Sequence, residues 1–256
     1  MHRKNLKKIA EEVIQFEINA LKNLKKNINN SLVNLIKMII NFKDGKIIIS
    51  GVGKSGIIGK KWAATFSSTG TPAFFLDASS ASHGDMGQIT SKDIVILISN
   101  SGESGELKNI IQYTSRNKNI KLIGVTSKKD SLLFKNSDIS FLMPNIKEAG
   151  PENIVPTSST TAQLALGDAI AVACMRYKNF SKLDFKKFHP GGSLSIKLKT
   201  VSDLMVIGRK LPLVNENVSM KKAIKIISKK KLGVLLVKNK NGHTTGIVTD
   251  GDLKRI

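Results

Sequence analysis

Serine and threonine residues are concentrated at three turns of this chain of 256 residues. The turns are Ser99–Ser104, Thr126–Ser127 and Pro156–Thr161, and each lies beside a segment with the pattern of a strand or a helix. A phosphate monoester carries three oxygens that accept hydrogen bonds. Hydroxyl groups and the free backbone N–H groups of a helix start can donate those bonds with little positive charge. The three turns therefore indicate a pocket for a small phosphorylated molecule.

A glycine-rich segment, Gly51–Gly56, follows a strand pattern, opens a helix pattern and fits G-x-G-x-x-G. Asp77 ends the next strand, close to where a ribose-binding acid stands in a dinucleotide site. The same glycines serve any tight strand-to-helix turn, and a dinucleotide site does not require the serine and threonine turns. Gly53-Lys54-Ser55 also matches the end of a P-loop, but Ile48 stands where the first glycine is required. The joint pattern favours a sugar phosphate over a nucleotide.

The elements that must position these turns alternate between helix and strand. Two amphipathic helices are predicted within residues 5–43, because apolar residues recur there at helical spacing. Five strand patterns follow, at Lys46–Gly51, Ala73–Leu76, Asp93–Ser99, Lys121–Thr126 and Asp138–Leu142. Continuous apolar strands separated by helices indicate a parallel sheet covered on both faces, so a three-layer α/β domain is predicted over residues 1–199. Ligands bind beyond the carboxyl ends of such strands, where Gly51, Ser99 and Thr126 stand.

The character of the sequence changes at Thr200. An extended segment, a helical segment and two further strand patterns predict a β-α-β-β unit over residues 200–256. A segment of this length is small for an independent core. We therefore predict a small α+β second domain.

No segment has the pattern of a membrane span. The longest apolar runs, such as Ile94–Ile98, are far shorter than the ~20 residues that a membrane helix needs. The N-terminus lacks the continuous apolar stretch of a signal peptide, and Glu11, Glu12 and Glu17 argue against a transit peptide. No membrane partner is expected, and the protein is predicted to be cytoplasmic. The one cysteine, Cys174, lies among Ala, Val and Met and is interpreted as a core residue.

The formal net charge of +22 raises the alternative of nucleic-acid binding. Only five of the 41 basic residues are arginine, whereas base edges and phosphates are best recognised by the planar fork of arginine. Aromatic residues make up 5% of the chain, so few rings are available to stack on bases. A solvated basic surface is therefore the preferred interpretation, and no nucleic-acid partner is expected.

Seven motifs occur along the chain, and they are Gly51-Val-Gly-Lys-Ser-Gly, Ser67-Ser-Thr-Gly-Thr-Pro, His83-Gly-Asp, Ser99-Asn-Ser-Gly-Glu-Ser, Lys147-Glu148, Pro156-Thr-Ser-Ser-Thr-Thr and His189-Pro-Gly-Gly-Ser-Leu. Together and in this order they resemble the arabinose-5-phosphate isomerase family, which joins a sugar isomerase (SIS) domain to a pair of CBS repeats. The resemblance covers essentially the whole chain. It implies interconversion of D-ribulose 5-phosphate and D-arabinose 5-phosphate, the first step toward the 3-deoxy-octulosonate sugar of lipopolysaccharide. It also implies a homotetramer that works without a redox cofactor, so no cofactor is expected.

By that resemblance the catalytic residues are Lys54, Glu106, Glu148 and His189. An enediol mechanism needs a base that moves a proton between C1 and C2, a group that polarises the carbonyl, and an acid or base that opens a cyclic substrate. Glu148 is assigned as the C–H base, although Glu106 could exchange roles with it. His189 is assigned to ring opening or oxygen protonation, and Lys54 to stabilising the enediolate or the phosphate. The predicted substrate contacts are Gly53, Ser55, Gly70, Thr71, His83, Ser99, Ser101, Ser104, Thr157, Ser158 and Ser159.

Two positions depart from the family pattern. Asp77 stands where well-known relatives carry a histidine associated with metal binding, so no metal site is predicted. The tail matches only the first CBS repeat, with Gly246–Asp252 at the ribose-phosphate contact. The alternative function is a non-catalytic, sugar-phosphate-binding regulator of the SIS class. Such regulators usually carry a helix-turn-helix ahead of the SIS domain, and the N-terminal helices show no clear example of one.

Overall fold

The chain divides into two units, Met1–Ser195 and Ile196–Ile256. Strands and helices alternate in the first unit. The computed structural model describes residues 3–42, 44–189 and 200–255. The main elements of the first unit are α1 (Arg3–Lys26), α2 (Asn30–Asn41), β1 (Ile47–Gly51), α3 (Gly53–Ser68), β2 (Ala73–Phe75), α4 (Ala78–Ala81), β3 (Ile94–Ile98), α5 (Gly105–Arg116), β4 (Lys121–Thr126), α6 (Leu132–Asn136), β5 (Ile139–Leu142), α7 (Ser158–Tyr177) and α8 (Lys182–Phe188). Two short 3₁₀ helices lie at Asp85–Gln88 and Pro151–Asn153.

The five strands form one parallel sheet in the order β2-β1-β3-β4-β5. Every residue of β1 and β3 is buried, because helices cover both faces. The sequence of β3 is accordingly apolar throughout, and that of β1 is apolar up to Ser50. Helices α1, α2, α3 and α7 contribute to the core on one face, and α4, α5 and α6 to the core on the other. The predicted three-layer α/β fold with a five-stranded parallel sheet is confirmed.

The strand order reverses direction between β1 and β3. The chain leaves β1 toward β2 on one side, whereas β3 and the later strands lie on the other side. In open parallel sheets such a reversal opens a crevice at the carboxyl ends of the strands, where ligands bind. The turn after β1 and the loop after β3 therefore flank the expected ligand position.

Helix α7 is fixed against α3 by a close approach at Gly167. A Cβ atom at this position would lie 2.1 Å from Nε1 of Trp62, so a residue with a side chain does not fit. Nε1 of the buried Trp62 donates to the carbonyl oxygen of Gln163 at 2.9 Å. The hydroxyl of Ser55 donates to the Gln163 side chain at 3.3 Å. These contacts hold the first half of α7 beside the turn that follows β1.

Cys174 also lies on α7 and is fully buried in this core. Burial raises the pKa of the Cys174 thiol to about 11, so the group stays protonated and behaves as a small apolar side chain. The interpretation of Cys174 as a core residue is consistent with this burial.

The second unit contains α9 (Val201–Leu204), β6 (Leu213–Asn215), α10 (Met220–Lys230), β7 (Val234–Lys238), β8 (Thr244–Thr249) and α11 (Asp250–Leu253). Strands β6 and β7 are parallel, and β7 and β8 are antiparallel. A small core of Ala223, Ile227 and Leu235 joins α10 to the sheet. This is the predicted small α+β unit. Its expected boundary, between residues 199 and 200, involves residue 199, which lies outside the described residues.

Within the described ranges, no helix has both the length and the apolar sequence that crossing a membrane requires.

Candidate active site

The hydroxyl-rich loop Ser99–Ser104 follows β3 at the carboxyl edge of the sheet. Ser99 is buried, and its Oγ accepts the N–H of Gly102 at 3.0 Å. The same Oγ lies 3.1 Å from the hydroxyl of Ser104 and 3.5 Å from that of Ser101. Three of the predicted substrate contacts are thus gathered in one place.

Helix α5 begins directly after this loop. Its N-cap is Ser104, whose side chain makes no cap hydrogen bond. The first N–H groups of a helix have no partner within the helix and carry partial positive charge, so they bind anions. The structure thus gathers hydroxyls and helix N–H groups at one position, which is the arrangement from which the sequence predicts a phosphate pocket.

The loop is shaped by Gly102, whose φ is +69°. A Cβ atom there would lie 2.2 Å from Oγ of Ser131 and 2.8 Å from Oγ1 of Thr126. Ser131 is itself fixed, because its hydroxyl donates to the carbonyl of Lys128 at 2.7 Å and caps α6. Only glycine satisfies both the backbone angle and the space.

Substituting Gly102 with alanine is therefore expected to lower the free energy of unfolding by about 1–3 kcal/mol and to weaken binding of inorganic phosphate. Gly105, the first residue of α5, is the matched control, since a Cβ there meets nothing within 4 Å. Gly105→Ala is expected to leave the unfolding energy unchanged or to raise it by up to about 1 kcal/mol. Thermal unfolding and phosphate titration calorimetry measure both quantities. Equal unfolding energies in the two variants would contradict the tight packing at Gly102.

Glu148 lies between β5 and α7, and only 7% of the residue is exposed. Its Oε2 accepts the N–H of Thr157 at 2.8 Å, the N–H of Ser159 at 3.1 Å and the hydroxyl of Thr157 at 3.2 Å. The carboxylate is therefore bound at the start of α7, where the helix dipole favours negative charge.

These hydrogen bonds decide the charge of Glu148. Burial by itself raises the pKa of the carboxyl, but hydrogen bonds from Ser159 and Thr157 outweigh burial and lower the pKa below its ordinary value. Glu148 is consequently an anion at neutral pH.

The turn at the start of α7 differs from its sequence-based interpretation. The N–H groups of Thr157 and Ser159 donate to the carboxylate of Glu148. These two residues were predicted to contact the substrate, but in the structure they bind the side chain of Glu148. The third predicted contact of this turn, Ser158, is fully buried, and its hydroxyl has no hydrogen-bond partner among the described residues.

A cavity of about 500 Å³ opens at this edge of the sheet. Glu148 lines it from one side, and Asn100 and Ser127, from the loops after β3 and β4, line it from another. The carbonyl oxygen of Asn100 accepts the N–H and the hydroxyl of Ser127 at 3.1 Å and 2.7 Å, so the two loops are joined. The cavity therefore adjoins both the hydroxyl-rich loop and the buried carboxylate.

Three further predicted residues lie at the start of α3, directly after β1. Gly53 has a φ of +58°, and a Cβ atom there would meet nothing within 4 Å. Lys54 is exposed, and Ser55 is half-buried against α7 through Gln163. Glu106 is exposed in the first turn of α5. The structure brings these residues to the same edge of the sheet as Glu148.

His83 is exposed and follows α4, in the connection between β2 and β3. Its neighbour Ser82 accepts a hydrogen bond from the side chain of Asn109 on α5 at 2.8 Å. His83 is thereby placed beside α5.

Gly70 and Thr71 lie at the opposite edge of the sheet. They follow the end of α3 and precede β2, so they stand at the amino ends of the strands. Gly70 has a φ of +86°, and the N–H of Thr71 donates to the carbonyl of Phe66 at 2.9 Å. Gly70 and Thr71, predicted as substrate contacts, thus form the glycine-containing C-terminal end of α3. Within one chain they do not reach the cavity beside Glu148.

His189 also lies away from Glu148 within one chain. Helix α7 runs about 30 Å from its start beside Glu148 to its end, where Nζ of Lys178 donates to Oγ1 of Thr71 at 2.9 Å. The ring of Phe180 stacks on that of Phe188 at 6.0 Å, so α8 stays near this end, and His189 is the next residue. The motif that continues from His189, residues 190–194, lies outside the described residues.

His189 is half-buried and its ring is held on its own helix. The imidazole stacks on the ring of Phe185 at 3.8 Å between centroids, and Nδ1 lies 3.0 Å from the carbonyl oxygen of Phe185. Nε2 is then the nitrogen directed away from this carbonyl.

Two residues at the site were not predicted from the sequence. Gln163 is buried and receives the hydroxyl of Ser55, and Asn153 accepts the N–H of Glu148 through its side-chain oxygen. Gln163 is a polar residue within the apolar pattern of a core helix, which is a recognisable signal. Asn153 stands in a polar turn and carries no such signal.

Asp77 has a structural contact in this chain. Its Oδ1 accepts the N–H groups of Ser79 and Ser80 at 3.0 Å and 3.1 Å and so caps α4. The hydrogen bond from Ser80 lowers the pKa of Asp77; burial opposes it, and the hydrogen bond from Ser79 adds to the lowering. Within the described ranges, no group of three or more His, Cys, Asp or Glu residues is arranged to hold a metal ion.

Comparison with known proteins agrees with this geometry. Residues 40–173 match the SIS domain family and residues 201–256 match the CBS domain family. The structure of c3406 from E. coli CFT073 in complex with arabinose 5-phosphate superposes with a TM-score of 0.71 at 37% identity, covering 74% of this chain and 100% of that chain.

Curated sequences extend the likeness beyond the SIS domain. Arabinose 5-phosphate isomerase KdsD of Francisella tularensis is 44% identical over 96% of this chain and 76% of its own length. The uncharacterized protein RP505 of Rickettsia prowazekii is 43% identical over 98% of this chain and 78% of its own length.

The parallel sheet, the hydroxyl-rich loop at its carboxyl edge and these matches define an SIS-domain protein with a CBS domain after it. Nearly the whole chain takes part in the similarity to KdsD sequences. The chain belongs to the arabinose 5-phosphate isomerase family of enzymes.

Proposed function

We propose that the protein interconverts D-ribulose 5-phosphate and D-arabinose 5-phosphate, and that the product supplies synthesis of the 3-deoxy-octulosonate sugar of lipopolysaccharide in the cytoplasm. The observation that carries the proposal is an ionised, buried glutamate, Glu148, in a cavity that adjoins a hydroxyl-rich helix start. The c3406 structure, which is 37% identical, was solved with arabinose 5-phosphate bound.

The phosphate of the substrate binds at the start of α5. Ser99, Ser101 and Ser104 supply hydroxyl donors, and the first N–H groups of α5 supply further hydrogen bonds and partial positive charge. This recognition needs no arginine, in agreement with the small number of arginines in the chain. The sugar then extends from the phosphate into the cavity that Glu148 lines.

Glu148 is the C–H base of the proposed reaction. It removes a proton from C1 of the ketose, the electron pair forms the C1–C2 double bond of an enediolate, and the proton returns to C2 to give the aldose. The accompanying hydroxyl proton moves from O1 to O2. Burial and three hydrogen bonds fix the position of Glu148, whereas Glu106 is exposed in the first turn of α5, and this contrast supports Glu148 over Glu106.

Lys54 stabilises the negative charge that develops on the substrate oxygens. It stands in the first turn of α3 at the carboxyl end of β1, and it is exposed. A cation and a helix start that lie next to a developing oxyanion stabilise its charge.

His189 completes the proposed site from a second copy of the chain. Its own chain holds it near the amino ends of the strands, about one length of α7 from Glu148. The homotetramer implied by the family resemblance supplies the neighbouring copies that this arrangement requires. The imidazole then opens the cyclic aldose or transfers the oxygen proton.

The test is proton exchange at the reacting carbon. The protein is incubated with D-ribulose 5-phosphate in deuterated water, and the products are observed by NMR. The expected product is D-arabinose 5-phosphate carrying deuterium at C2. A SIS regulator would bind the sugar phosphate without turnover or exchange, and that outcome would establish the alternative function in place of this one. Parallel incubations with other pentose and hexose phosphates define the substrate range.

A further inference from the structure

Asn153 lies beside Glu148 in a backbone conformation that few residues tolerate. Its φ is 60°, and that of the preceding residue, Glu152, is 56°. Of the residues described, these are the one consecutive pair of non-glycine residues with positive φ. The left-handed region is disfavoured for L-amino acids, and asparagine is among the few that visit it. The conformation therefore depends on contacts that favour it.

The side chain of Asn153 is hydrogen-bonded to Glu148. The N–H of Glu148 donates to Oδ1 of Asn153, and the N–H of Asn153 donates to the carbonyl of Gly150 at 3.2 Å. The N–H of Ala149 donates to the hydroxyl of Thr157 at 3.0 Å, and that hydroxyl also reaches Oε2 of Glu148. Glu148 is thus held at its main chain by Asn153 and at one carboxylate oxygen by α7.

We infer that Asn153 is a positioning residue for the isomerisation, because its side-chain oxygen fixes the main chain from which the base projects. The inference rests on the proposed role of Glu148. Asn153 and Glu148 line the same cavity and are joined by a hydrogen bond, so loss of that bond lets the main chain of Glu148 shift and moves the catalytic oxygen relative to the substrate carbon. A displacement of about 1 Å at a reacting group typically costs roughly 10²-fold in rate.

Two substitutions separate the hydrogen bond from the backbone angle. Asn153→Gly accepts the positive φ without strain but removes the acceptor, whereas Asn153→Asp keeps both the tolerance for this φ and an acceptor oxygen. Glu152→Gly is the matched control, because it loosens the same turn at a φ of 56°. Since glycine is the residue best suited to positive φ, the first variant is expected to fold.

The expected result is a fall in kcat of about 10- to 100-fold for Asn153→Gly, with KM changed less than about threefold. Asn153→Asp is expected to recover most of kcat at its pH of maximal rate, and Glu152→Gly to match the parent. Thermal unfolding and titration with inorganic phosphate verify that each variant keeps its fold and its phosphate pocket.

Distinct outcomes overturn the inference and the function on which it rests. If the parent enzyme turns over and Asn153→Gly has the same kcat, the positioning role is wrong and the proposed function stands. If Glu152→Gly loses as much kcat as Asn153→Gly, stiffness of the turn explains the effect and the hydrogen bond does not. Absence of turnover in the parent would refute the proposed function itself.

Discussion

Replacing Glu148 with glutamine is expected to lower kcat by a factor of about 10²–10⁴ and to change KM for the sugar phosphate little. Glutamine keeps an oxygen that can accept the N–H groups of Thr157 and Ser159, now bonded to Oε2. The start of α7 therefore stays in place. Glutamine takes up no proton from carbon, so the loss falls on the chemical step.

Steady-state kinetics of three glutamine variants tests this assignment. Glu106→Gln changes the alternative base, and Glu152→Gln changes an exposed glutamate four residues beyond Glu148. We expect the Glu152 variant to match the parent. Should Glu148→Gln turn over as fast as the parent while Glu106→Gln is slow, the base is Glu106.

The pH dependence of the parent follows from the same contacts. Burial alone would raise the pKa of Glu148, but hydrogen bonds from Ser159 and Thr157 outweigh it and hold that pKa below its ordinary value of 4.5. The charged form of Glu148 is thus favoured in the folded protein. These hydrogen bonds therefore stabilise the fold at pH values above the pKa that Glu148 has in the unfolded chain. Their stabilising effect is lost as the pH falls through the pKa that Glu148 has in the folded protein. Because ionisations of the ligand-free enzyme appear in kcat/KM, the loss of kcat/KM caused by protonation of Glu148 is expected below about pH 4.5, in the acid limb of the rate profile.

A lowered pKa also makes Glu148 a weaker base, and the rest of the site must compensate. Removing a proton from carbon with a weak base requires strong stabilisation of the enediolate. Helices α3, α5 and α7 all start at the carboxyl edge of the sheet, and Lys54 stands in the first turn of α3. In the proposed reaction the start of α3 and Lys54 supply that stabilisation, because the start of α5 binds the phosphate and the start of α7 binds Glu148.

The strands were predictable from the sequence because the sheet is parallel and covered on both faces. A strand such as Ile94–Ile98, buried at every residue, is a continuous apolar run that turn residues bound on each side. The rule that ligands bind at the carboxyl ends then located Ser99–Ser104 correctly at the edge that carries the cavity.

The partners of the polar groups were not predictable. The turn Pro156–Thr161 shows hydroxyls and a helix start, but the sequence does not reveal that Glu148 already occupies two of its N–H groups. Gly70 and Thr71 have the same composition as a ligand turn, yet they end a helix at the opposite edge of the sheet. Composition identifies possible donors, whereas only the fold decides what each donor faces.

Mixing two inactive variants is expected to restore activity, because in the proposed site His189 of one copy acts on the substrate beside Glu148 of another copy. Glu148→Gln chains retain His189, and His189→Ala chains retain Glu148. Alone, each oligomer lacks one group at every site, and the loss of the histidine is expected to cost about 10²-fold or more. In mixed oligomers some sites receive an intact Glu148 from one chain and an intact His189 from its neighbour.

Random assembly of equal amounts of the two chains restores both groups at about one quarter of the sites, so roughly a quarter of the parent activity is expected after joint unfolding and refolding. The double variant, Glu148→Gln with His189→Ala, mixed with parent chains in the same way controls for dilution and refolding yield. If each site instead drew both residues from one chain, every site in the first mixture would lack one of them and no activity would return. That outcome would require α8 to leave its packing beside Phe180 and cross to the other edge of the sheet, since Lys178 and Thr71 hold the end of α7 at the amino ends of the strands.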